Sequence, residues 1–155
     1  MKQNITHGFH WLAILVLLIA FVALIAYGEA GLLAKFISTD KDINEEWLPF
    51  FLIVAFIDLG CAFLAVTLWY SWGTWLASFK KCQGFGKRLV WVTFFLILIG
   101  VVVVSIIITT AEGGVWLAHI CYAFNVLGFY YLATVFCSPL SLKYYPFGAK
   151  YLRRW

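Results

Sequence analysis

Charge is scarce in this chain. Only 12% of its 155 residues are Asp, Glu, Lys or Arg, against about 25% in an ordinary soluble domain. Apolar residues make up 65%, and a soluble fold of this length has no core large enough to hide them, so lipid must cover part of the surface. Paired cysteines are missing too. Cys61, Cys82, Cys121 and Cys137 occur singly and no CxxC is present, which argues against a thioredoxin-like centre or a zinc ribbon. The residue-by-residue alternation of a barrel strand is absent, as are repeats, heptads and low-complexity tracts. The net charge of +4 does not indicate a nucleic-acid partner. The basic residues sit beside apolar runs, where anionic lipid is the fitting counterpart.

What is present is four long apolar stretches, about 11–27, 48–75, 89–109 and 115–137. Each reaches the roughly 17 residues that a transmembrane helix needs at the least. Backbone groups in lipid must bond within their own segment, so these are helices. The expected fold is all-α: one polytopic membrane domain built as a four-transmembrane-helix bundle, with a basic, aromatic tail over 138–155. The small four-span proteins of animal myelin and tight junctions share this topology, but their motifs are absent.

Charge sets the expected orientation. Lys2, Lys80, Lys81, Lys87, Arg88, Lys143, Lys150, Arg153 and Arg154 fall in three segments without an acid. The other two loops hold Lys35 and Lys41 against Glu29, Asp40, Asp42, Glu45, Glu46 and Glu112. The positive-inside rule then places both termini in the cytoplasm, in a plasma or bacterial cytoplasmic membrane. A cleaved signal peptide is the competing reading of the first span, but its apolar core is longer than the usual 7–15 residues. The Asn4-Ile5-Thr6 sequon would face the cytoplasm and reads as chance.

Leu32, Leu33, Phe36 and Ile37 are spaced like one face of a short helix, expected to lie along the membrane surface. Asp42 and Glu45 resemble a capping box ahead of the second span, with Pro49 in its first turn. The loop from Lys81 to Lys87 lacks the GKS/T ending of a phosphate-binding loop. In the tail, Lys143, Lys150, Arg153 and Arg154 alternate with aromatic rings, a pattern suited to lipid headgroups or a partner subunit.

Asp58 is the leading candidate for a working residue. It lies ten residues past Leu48, ~15 Å down the second span. An acid there costs ~2.5–3.5 kcal/mol on insertion scales and turns to the bundle interior. Asn125 lies ten residues past Val115 in a span running the same way. The two are expected to meet, directly or through water, as interhelical glue, or else as a proton or cation site.

His7-Gly8-Phe9-His10-Trp11-Leu12 resembles the His-Trp start of the first helix in bacterial cytochrome b561-type proteins, which implies a haem between helices. The depths oppose it. His10 is at one end of the first span and His119 near the opposite end of the fourth, ~20 Å apart or more. His7 and His10 share a face and cannot clamp one iron between them. No haem, metal or other cofactor is therefore expected. His119 is instead a possible pH-sensitive group near Glu112 or Ser105. A Ser105–His119 catalytic pair lacks a well-placed third member. The cysteines sit at unmatched depths for quinone–thiol chemistry. Trp69, Trp72 and Trp75, three apart, suggest one aromatic face that anchors the helix at the interface or receives a lipid or quinone headgroup.

Since no span carries a polar stripe, the expected function is non-enzymatic. The chain reads as a subunit or accessory protein of a membrane complex, or a homo-oligomer, with lipids and a membrane protein as partners. A proton- or cation-coupled transporter component using Asp58 is the alternative. A haem or quinone redox protein is disfavoured.

Overall fold

The computed structural model describes residues 2–39, 47–78, 85–111 and 115–136, with side chains over 9–35, 47–72, 89–111 and 115–135. Among them there is no strand. Four helical rods are long and apolar enough to cross a membrane: Phe9–Lys35, Trp47–Trp72, Leu89–Ala111 and Trp116–Val135.

Two rods are single helices, α3 (Trp47–Ser78) and α4 (Phe85–Ala111). The other two are interrupted by a π turn. In the first rod α1 (Lys2–Ala23) passes through Leu24–Glu29 into α2 (Ala30–Thr39). In the fourth α5 (Trp116–Ala123) passes through Phe124–Gly128 into α6 (Phe129–Phe136). The backbone stays right-handed helical through both junctions, and the N–H of Ala30 reaches back five residues to the Ile25 carbonyl. This corrects two expectations. The first span does not end near Tyr27, and Leu32 and Leu33 do not belong to a separate surface helix. They continue the rod, with Leu33 sealed in the core and Leu32 exposed. The physical reason lies in the wider π turn, which absorbs an extra residue. It keeps Ile14, Phe21, Ile25, Glu29 and Leu33 on one buried stripe although the last four are spaced by four.

α3 is the hub, in contact with every other segment and most extensively with α4 and α6. Its buried positions include Phe51, Ala55, Asp58, Ala62, Ala65 and Trp69, a 4-3 alternation that keeps one seam on its neighbours. Three of them are alanines, which lets helices approach closely where lipid supplies no hydrophobic drive for association. Burial follows this plan. Half of the fourth rod's apolar window is buried and 39% of the second's, against 17% and 22% for the first and third.

Aromatic contacts fix an up-down order. At one end Trp11 meets Tyr70 edge-on at 5.0 Å, and Trp91 stacks on Tyr130 at 5.5 Å. At the other, Trp47, Phe51 and Tyr122 stack in series at 5.8 and 5.3 Å. The Trp91 indole N–H donates to the Thr134 hydroxyl at 3.0 Å, and that hydroxyl donates to its own helix at the Tyr130 carbonyl. Thr134→Val removes the indole's acceptor and is expected to lower stability by about 1 kcal/mol. The midpoint of unfolding in mixed detergent micelles, followed by circular dichroism, measures it.

Candidate functional site

Aromatic residues apart, the buried polar or charged residues among those described are Glu29, Asp58, Ser105, Thr109, Asn125 and Thr134. All but Thr134 lie in the half of the bundle nearer Trp47 and Val115, and they form two centres.

In the first, α3 and α4 bring Asp58 against Ser105, whose hydroxyl donates to Oδ1 at 2.8 Å. Asp58 is only 2% exposed and its Oδ2 is sealed without a hydrogen-bond partner. One turn on from Ser105, the Thr109 hydroxyl donates to the Ser105 carbonyl at 2.7 Å. Beside this pair the two helices leave an apolar groove of about 440 Å³. Ile57 and Val104 form parts of its walls, and Asp58 and Ser105 are its polar members.

The second centre joins the first and fourth rods. The Asn125 Nδ2 donates to the Glu29 Oε2 at 2.8 Å. Asn125 is fully buried and Glu29 8% exposed. The Asn125 Oδ1 is sealed with no partner. Tyr122 interacts with the Thr109 side chain and electrostatically with both Asp58 and Glu29.

Asp58 and Asn125, expected to meet directly or through water, have no hydrogen bond to each other. Each residue has a different partner, because depth fixes one coordinate only. Around the helix axes Asp58 faces α4 while Asn125 faces the first rod. Glu29 is the acid that sequence reasoning assigned to a loop.

The remaining candidates separate. The His119 Nε2 lies 3.3 Å from the Thr110 hydroxyl, one short loop away rather than at Ser105. Ser105 donates to a carboxyl and not to a histidine, so the nucleophile–base pair is not assembled. His10 packs near Tyr70 at the opposite end of the bundle, in line with the depth count. Among the tryptophans Trp69 is buried and Trp72 is 54% exposed, so the expected single face is broken by the 3.6-residue turn. Trp91 and Trp47 are also buried. The Trp75 side chain, Lys143, Lys150, Arg153, Arg154, Glu112 and the Asp42–Glu45 box lie outside the described residues. Among the described residues no group of three or more His, Cys, Asp and Glu is placed to hold a metal.

No family model matches the chain, and no curated protein or solved structure is similar to it. Function must therefore be read from these residues alone.

Proposed function

We propose that the chain is a non-enzymatic integral membrane protein that serves as an accessory subunit and seats a transmembrane helix of another chain in the α3–α4 groove. The observation that carries this reading is the groove itself. It is apolar except for Asp58 and Ser105, a combination suited to an apolar helix that brings one hydrogen-bond donor. Gly100 lines it, and a Cβ built there meets nothing within 4 Å. The charge split supports cytoplasmic termini in a plasma or bacterial cytoplasmic membrane, with Lys143, Lys150, Arg153 and Arg154 on anionic headgroups.

A photo-crosslinking residue at position 57 or 104, in native membranes, tests the reading. The expected product is a protein adduct of discrete mass, absent when the crosslinker is moved to exposed Ile19 and lost on Gly100→Trp. An adduct of twice the chain mass would make the occupant a second copy. Lipid adducts alone at every position would overturn it.

One observation favours a second reading, a proton- or cation-coupled component working through Asp58. Its Oδ2 is sealed without a donor, and an unpaired charge in such a place is costly.

A further inference from the structure

The first and fourth rods each widen into a π turn, and the two turns carry the two ends of one hydrogen bond. Glu29 closes the turn Leu24–Glu29 and Asn125 lies within Phe124–Gly128. π turns are rare and concentrate at functional sites. Here they aim an acid and an amide at each other inside a bundle, where ionisable residues mark functional pathways.

The atoms left over indicate the ligand. Asn125 presents its N–H₂ to the carboxyl, so a metal cation between them would meet a donor. With the amide turned over, its oxygen would face a carboxyl oxygen, and a proton or a cation would have to lie between the two. The sealed Oδ1 lacks a donor in the present arrangement. A protonated Glu29 gains an O–H, and an acid and an amide that exchange two hydrogen bonds satisfy each other. Tyr122, three residues before Asn125, is fully buried.

We propose that Glu29 and Asn125 form a proton-binding site in the bundle interior. The Glu29 carboxylate takes up one proton from water and becomes a carboxylic acid, held by the Asn125 amide, with Tyr122 as the neighbouring polar wall. The titratable groups that interact electrostatically with Glu29 are Cys121 and Tyr122 on α5. Asp58 on α3 acts on the same Tyr122. Lys35, six residues on in Glu29's own rod, is exposed. The site is separate from the Asp58 groove and does not depend on what occupies it.

Infrared difference spectroscopy of the full chain in liposomes, across a pH series with and without sodium, tests the proposal. Glu29→Gln is neutral, nearly isosteric and able to keep the amide contact, and circular dichroism checks its helix content. Subtracting its spectrum is expected to isolate a protonated-carboxyl carbonyl band at neutral pH that disappears on alkalinisation. Asn125→Ala is expected to shift that band by removing a donor to the carboxyl. Asp58→Asn is expected to leave it in place, which separates this site from the proton reading of Asp58. A Glu29 contribution that stays carboxylate from neutral to acid pH would overturn the proposal. A band abolished by sodium at constant pH would overturn it in favour of a cation site. A band unmoved by Asn125→Ala would remove Asn125 from it.

Discussion

Tyr130→Ala is expected to destabilise the bundle by about 3–5 kcal/mol, while Tyr130→Phe costs about 1 kcal/mol. Tyr130 is fully buried. Its ring stacks on Trp91 at 5.5 Å with 28° between planes and leans on Phe95 at 6.4 Å. Its hydroxyl donates to the Trp91 carbonyl at 3.2 Å. Truncation therefore removes the piece that α6 inserts against α4. Transfer from water is not the relevant driving force, since lipid is as apolar as the core. The cost is the dispersion attraction forfeited around a cavity that neighbouring rings, held in place by their own packing, refill only in part. Trp91 also loses a stacking partner, and its indole hydrogen bond to Thr134 depends on the ring staying in place. Unfolding midpoints in mixed micelles separate the two variants. Equal stability of the alanine and phenylalanine forms would mean that α4 and α6 are not held through this ring.

The four rods are legible in the sequence because nothing else explains four apolar runs of that length. The faces are not. In a soluble helix polar residues mark the exposed side, but here exposed Ile53 and Leu64 and core Phe51 and Leu59 belong to one chemical class. The 4-3 seam of α3 becomes visible only once its neighbours are in place. Asp58 stands out because an acid at mid-span is costly, whereas Glu29 sits beside Gly28 at what reads as the end of a span. A signal is nevertheless present. The run Ala30-Gly31-Leu32-Leu33-Ala34 continues apolar beyond Glu29, and Leu33 follows Glu29 by the same four residues that separate Glu29 from Ile25. A π turn makes that spacing one face, and no propensity rule announces a π turn. For the tryptophans, spacing by three suggests a single face, but each step falls short of a full turn and leaves Trp69 inside and Trp72 outside.

Ser105→Ala is expected to cost more than Asp58→Leu, although the serine is the smaller and less polar of the pair. The wild-type carboxyl has one donor, Ser105, on Oδ1 and none on Oδ2. Removing the hydroxyl leaves both oxygens sealed and unsatisfied, a cost of about 1–3 kcal/mol for a neutral polar group and more for a charged one. That exceeds the average interhelical hydrogen bond in a membrane, about 0.6 kcal/mol. Asp58→Leu removes the demanding partner instead. The orphaned serine hydroxyl can turn to a carbonyl of its own helix, as Thr109 and Thr110 already do one turn later, at small cost. Combining the two substitutions is therefore expected to recover most of the stability lost by Ser105→Ala alone, a coupling of the same sign as that of a simple stabilising bond but with the cost falling on only one of the two single variants. If Asp58→Leu proves as costly as Ser105→Ala, the pair is glue that holds α3 to α4 and the bundle depends on it. If the expected order holds, Asp58 is a net burden on the fold, and such a residue is kept for the work it does rather than for the contact it makes.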